Sequence, residues 1–325
     1  MADSTRTVVI ALAANALIAA AKAVAGVLSG SGALLSEAAH SVADTGNEAF
    51  LLTALRRGDR PADEQHPFGY GKERFFWSLL AAVGIFIAGA VFSWFEGYRT
   101  LTESGSDSAG FLAAYVVLGL AAVLEGTSWA RAVRQLRGEA TEHRARMIDY
   151  VRTSDDPTVK TVASEDSAAL VGILVAFLGI LLHQLTGDAV YDGTASLLIG
   201  AVLVYVAFAL GRDNMGLLIG EAASTGVRRR LADVLGSFDE VDELVDLQTM
   251  RIGTRRLLVA ARVDFGCDLS SDEIELLSAR IEQRVHEQVP EVDQIFLDAT
   301  AATEPGARAR RTARQAGRPW HYPAE

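Results

Sequence analysis

Cysteine is nearly absent from this chain of 325 residues: Cys267 stands alone. A lone thiol excludes an intrachain disulfide and removes the thiolate-rich sites that soft ions such as Cu(I) prefer. Positive charge is also scarce. Thirty Lys and Arg against 41 Asp and Glu give a formal net charge of -11, which argues against a nucleic-acid partner, because phosphate repels such a chain. No H-E-x-x-H, no G-x-S-x-G and no Gly-Lys phosphate loop occurs, so the usual signatures of a metalloprotease, a serine hydrolase and a nucleotide hydrolase are missing. No internal repeat is evident.

Apolar residues, by contrast, make up half of the chain, and the positive mean hydropathy points to a membrane-embedded portion. Runs of about 20 apolar residues, the length that crosses a bilayer, lie near 7–29, 33–55, 76–98, 111–132, 161–183 and 192–211. The first run is too long for the apolar core of a signal peptide and is followed by further runs, so it reads as a retained helix. Basic residues cluster after the second run (Arg56, Arg57, Arg60, Lys72, Arg74) and after the fourth (Arg134, Arg137, Arg144, Arg146, Arg152, Lys160), while the intervening loops carry only Arg99. This alternation predicts both termini on the cytoplasmic side of the cytoplasmic membrane.

The composition turns polar after residue 219. A helix near 225–236, strands "VDELVDLQTMRI" and "RLLVAARVDF", a helix opened by the capping box of Ser270 and Glu273, and a last strand "VDQIFLDA" follow in order. The predicted fold is an all-α six-helix transmembrane bundle (1–219) followed by a small cytoplasmic α+β domain of order αββαβ (220–302). The Arg-rich, aliphatic-poor tail (303–325) reads as disordered.

The second apolar run contains "SEAAHSVADTGNE", in which Glu37, His40, Asp44 and Glu48 step by three, four and four residues. At about 3.6 residues per turn all four lie on one helix face, although a charge near mid-membrane costs roughly 2.5–3.5 kcal/mol. His40 and Asp44, one turn apart, can converge on an ion about 2.0–2.2 Å from each, but two ligands do not close a site. Among the other runs, the fifth offers carboxylates near its cytoplasmic half, Glu165 and Asp166. Glu37 reads as a ligand, a hydrogen-bond acceptor behind His40, or an entry group. The alternative is a polar face satisfied by hydrogen bonds without any ion. For Glu48, nearer the helix end, and for Asn15, Lys22 and Asn47, interhelical hydrogen bonds or an ion pair are the expected role.

The stretch "SGALLSEAAHSVADTGNEAFLL", the loop "PADEQHPFGYGKERFFW", "LLIGEAAS" at the sixth exit and the αββαβ order resemble the cation diffusion facilitator family along most of the chain. The resemblance implies a homodimer, joined through its transmembrane and C-terminal domains, that exports a divalent metal, commonly Zn²⁺, across the bilayer in exchange for protons. It also implies a ligand pair in the fifth helix four residues apart, where this chain has Glu165 and then Ala169. Asp166, a water or Glu37 are the candidates for the missing ligand. Oxygen-rich ligation with one imidazole also admits Mn²⁺, Fe²⁺ or Co²⁺. Asp63 and His66 match a second metal site of the family, with Tyr70 at the position of its usual third ligand. A phenol, whose ordinary pKa is about 10, makes that site weak at most. The C-terminal domain offers His286 and dispersed carboxylates, so dimerisation is its expected role. A metal-responsive membrane scaffold that does not transport is the rival reading.

Overall fold

A computed structural model describes residues 2–102, 110–142, 157–254, 256–266 and 269–300. The expected tail of 303–325, Cys267 and several basic loop residues, among them Arg144 and Arg152, lie outside the described residues. The chain divides into two compact units, Met1–Leu218 and Ile219–Glu325.

The first unit consists of long helices: α1 (Ala2–Ser29), α2 (Gly32–Gly58), α3 (Glu73–Thr102), α4 (Phe111–Glu142), α5 (Pro157–Thr186) and α6 (Val190–Ile219). Among the described residues, α3, α4 from Phe111 to Gly138, α5 from Glu165 and α6 are long and apolar enough to cross a membrane. The described apolar part of α1 is shorter, Asn15–Ser29, and α2 carries the acidic stripe. Exposed apolar side chains such as Leu17, Leu112, Tyr205 and Phe208 mark a surface suited to lipid rather than water.

Between α1 and α2 the chain reverses at Gly30, whose φ of 66° suits a residue without Cβ. Ser31 then caps α2, its hydroxyl accepting from Leu34 N–H. Alanines and small aliphatics fill the bundle interior, including Ala43, Leu118, Ala121, Ala168 and Ile199, because small side chains let helices without a water-driven core approach closely. α3 comes close to α6 where a Cβ on Gly97 would stand 2.9 Å from the Gly193 carbonyl oxygen. Within α3 the segment Ile85–Val91 winds as π-helix.

The second unit runs α7 (Thr225–Leu235), β1 (Val241–Gly253), β2 (Arg256–Phe265), α8 (Ser271–Gln288) and β3 (Val292–Ala299). β2 pairs antiparallel with β1 and parallel with β3, so α8 is the crossover that a parallel pair requires. The anticipated capping box is formed: Ser270 accepts from Glu273 N–H while Glu273 accepts from Ser270 N–H at 2.8 Å. Leu231, Val259, Val263, Ile281 and Val285 are fully buried and form its core.

Candidate metal centre

The stripe of α2 is held in place from both ends of the helix. At its N-terminus Asp192 of α6 accepts from Ser31 Oγ and from Gly32 N–H, each at 2.6 Å. An anionic side chain there satisfies open N–H groups and complements the positive end of the helix. Near the other end, Asn15 of α1 donates to Glu48 Oε1 at 2.6 Å, and Asn47 donates to Glu165 Oε1 of α5 at 2.7 Å. Both asparagines thus form the interhelical hydrogen bonds expected of them.

Glu37 does not face an open space. The Lys22 ammonium of α1 lies 2.9 Å from Glu37 Oε2 and also donates to Ser41 Oγ at 2.8 Å, with both charged side chains fully buried. Glu37 Oε1 has no hydrogen-bond partner. It rests against Gly172 of α5, where a Cβ would collide with it. Lys22 therefore neutralises the first acid of the stripe from within the bundle.

One turn on, His40 is only 2 % exposed, and neither ring nitrogen has a hydrogen-bond partner. Its Nδ1 lies 3.6 Å from Asp44 Oδ1, an oxygen that is also buried without a hydrogen-bond partner. Buried polar atoms are paired in the great majority of cases, and these two groups, one helical turn apart, have the donor chemistry to take a cation or a proton. The adjacent acids of α5 diverge around their helix. Glu165 turns to Asn47 of α2, whereas the Asp166 carboxyl lies beside the Ser128 hydroxyl of α4 and its Oδ2 has no hydrogen-bond partner. Both acids remain within electrostatic range of Asp44. Among the described residues, no three His, Asp, Glu or Cys side chains converge closely enough to hold an ion in this conformation.

Glu125 of α4, a carboxylate outside the α2 stripe, also lies within electrostatic range of Asp44, Lys22, Asp166 and His40. Its signal was available in "LGLAAVLEGTSW": it is a lone acid in an otherwise apolar run.

The loop between α2 and α3 is organised around Asp63. Its Oδ1 accepts from the N–H groups of Gln65 and His66, and its Oδ2 from the Tyr70 hydroxyl at 2.6 Å. The Tyr70 hydrogen bond first, and the His66 N–H second, hold the Asp63 carboxyl below its ordinary range; the same bond raises the Tyr70 phenol. The His66 ring lies 4.2 Å from that of Tyr70 and the Arg60 guanidinium 4.5 Å above it. Asp63 and His66 are thus together, 3.5 Å apart, with both oxygens of Asp63 already engaged in the turn. In the second unit the half-buried His286 bonds through Nδ1 to the Glu282 carbonyl of its own helix at 2.8 Å.

Residues 8–219 match the cation efflux transmembrane domain. The chain is 34% identical over 262 residues to Metal tolerance protein C4 of Arabidopsis thaliana, covering 81% of this chain and 57% of that protein. It is 33% identical over 260 residues to the mitochondrial Proton-coupled zinc antiporter SLC30A9 of Xenopus laevis, covering 80% and 46%. The chain therefore spans about half the length of these two relatives. Against the Cation-efflux pump FieF of Serratia proteamaculans it is 27% identical over 307 residues, 93% of this chain and 95% of that protein.

Proposed function

The chain belongs to the cation efflux family, and on that footing we propose that it is a secondary active transporter, not an enzyme, that exports a divalent metal cation in exchange for protons. Zn²⁺ ranks first as cargo, supported by the zinc antiporter among its relatives; the donor chemistry also suits Mn²⁺, Fe²⁺ and Co²⁺. All of α1 to α6 cross the cytoplasmic membrane with the termini inside, in line with the basic residues of the loops after α2 and α4. Two copies pair through the transmembrane unit and the αββαβ domain.

The observation that carries this reading is His40, buried with two unpartnered nitrogens beside Asp44. The cation is held by His40 and Asp44 of α2 with an acid of α5, Glu165 or Asp166, while Glu37 serves as the partner of Lys22 rather than as a ligand. Asp63 and His66 contribute a weak second site at most, since metal there has to displace Tyr70. An imidazole binds metal only in its neutral form, so metal and proton compete for the same nitrogen. A site open alternately to each side loads metal from the cytoplasm, releases it outside and returns protonated, which couples export to the inward proton gradient.

Flux of Zn²⁺ into proteoliposomes holding a metal indicator, driven by a pH difference, tests the reading. His40→Ala and Asp44→Asn are expected to abolish flux while the dimer still elutes intact; wild-type flux from both variants refutes the site. Competition by Mn²⁺, Fe²⁺ and Co²⁺ in the same assay ranks the cargo. Ala169, which provides no ligand, favours the scaffold as second reading, and metal binding without flux by the wild type selects it.

A further inference from the structure

Two hydrogen bonds and a close contact set the register of α4 on α5. Tyr115 Oη donates to Gln184 Oε1 at 2.7 Å, Trp129 Nε1 donates to Ser167 Oγ at 2.9 Å, and the Ser128 hydroxyl lies beside the Asp166 carboxyl. The numbers rise along one helix as they fall along the other, so the two run antiparallel. One turn from Ser128 toward Tyr115 brings Glu125, and one turn from Asp166 in the same direction brings Ala169. Glu125 is therefore level with the turn of α5 that lacks a ligand. It also occupies the inward face of α4: Ala114, Leu118 and Ala121 are buried at steps of four and three, and the next step of four is Glu125. Residues spaced this way share one side of a helix, and that side is the one whose Ser128 reaches α5.

We propose that Glu125 supplies the carboxylate missing at Ala169, so that the transported cation is held by His40, Asp44, Glu125 and one acid of α5. The inference rests on the proposed transport site and completes its four-ligand requirement with a third helix. The observation that points to a ligand, independent of the acids themselves, is the buried His40 ring with both nitrogens unpartnered, within electrostatic range of Glu125. In this conformation no three donors among the described residues meet. A glutamate on α4 has enough side-chain torsions to swing onto an ion that His40 and Asp44 hold.

The test uses the full-length protein in detergent, with Zn²⁺ affinity measured by chelator competition and bound Co²⁺ read by its visible absorption, which reports ligand number and type. Glu125→Gln, nearly isosteric, is expected to lower Zn²⁺ affinity about a hundredfold and to change the Co²⁺ spectrum while melting as the wild type does. Adding Ala169→Asp to that variant is expected to return affinity to within about tenfold of wild type, a rescue that a merely structural glutamate does not permit. Wild-type affinity and spectrum in Glu125→Gln, with binding lost in Asp44→Asn, overturn the inference and leave the proposed site standing. Loss of binding that Ala169→Asp fails to restore also overturns it. Unchanged binding in both Glu125→Gln and Asp44→Asn overturns the inference and the site together.

Discussion

Exchanging Lys22 for methionine keeps an unbranched side chain of nearly the same length and removes its charge. Lys22 and Glu37 are each 0% exposed, so no water is at hand to take over the ammonium's role. Glu37 Oε1 already lacks a hydrogen-bond partner, and the exchange strips Oε2 of its own. Breaking a buried pair from one side costs about 3–5 kcal/mol, while replacing both members by apolar groups of similar volume is often neutral or stabilising by about 1–4 kcal/mol. Lys22→Met and Glu37→Met are thus each expected to destabilise by about 3–5 kcal/mol, and the double variant to lie near the wild type. Reversible unfolding in mixed detergent micelles, followed by tryptophan fluorescence for all four proteins, gives the double-mutant cycle. The cycle separates the pair from the packing of either side chain. If Lys22→Met stays within about 0.5 kcal/mol of wild type, or the double variant is no better than the worse single one, the buried ion pair is not what holds α1 to α2.

Gly172→Ala drives a methyl group into Glu37 Oε1, and since Lys22 pins that carboxylate, α5 must shift; a loss of about 1–3 kcal/mol in the same unfolding assay is expected. Asp192→Ala leaves Ser31 Oγ and Gly32 N–H without their acceptor and is expected to cost about 0.5–2 kcal/mol, with Asn restoring part of it as a neutral acceptor. Tyr70→Phe removes the hydrogen bond that lowers Asp63, which limited proteolysis of the α2–α3 loop reads as faster cleavage. Because the folded Asp63 carboxyl lies below its ordinary value of 3.8, its contribution is complete above that value and is lost only as pH falls through the folded one. Loop protection in the wild type is therefore expected to stay constant from pH 8 down to about 5 and to decline in stronger acid; decline already at neutral pH refutes the Asp63 knot.

The secondary structure was legible because each signal was local. Period and run length marked the helices, and Ser270 with Glu273 marked where α8 begins. The stripe on α2 was legible for the same reason, since a step of three or four residues decides which side chains share a face. Asn15, Lys22 and Asn47 could be read as groups needing partners inside a membrane. Their choice of partner could not: the sequence offers Lys22 every acid of α2, and it is packing that brings it to Glu37 and leaves His40 bare. Glu125 was not legible in the same way, because a single acid in an apolar run carries no period and its place relative to Ala169 depends on the register of two helices. From sequence Tyr70 reads only as a poor metal ligand; that its hydroxyl closes the turn on Asp63 depends on how the loop folds back.

Residue order alone determined that an imidazole and a carboxylate one turn apart would face inward from an apolar helix, because helical spacing and the cost of charge in hydrocarbon act within one segment. Which of the surrounding charges neutralise that face, and which of its side chains are left without a partner, was decided by tertiary packing. Pairing at 3 Å depends on the relative height and rotation of helices far apart in the chain, and no local pattern encodes those two quantities.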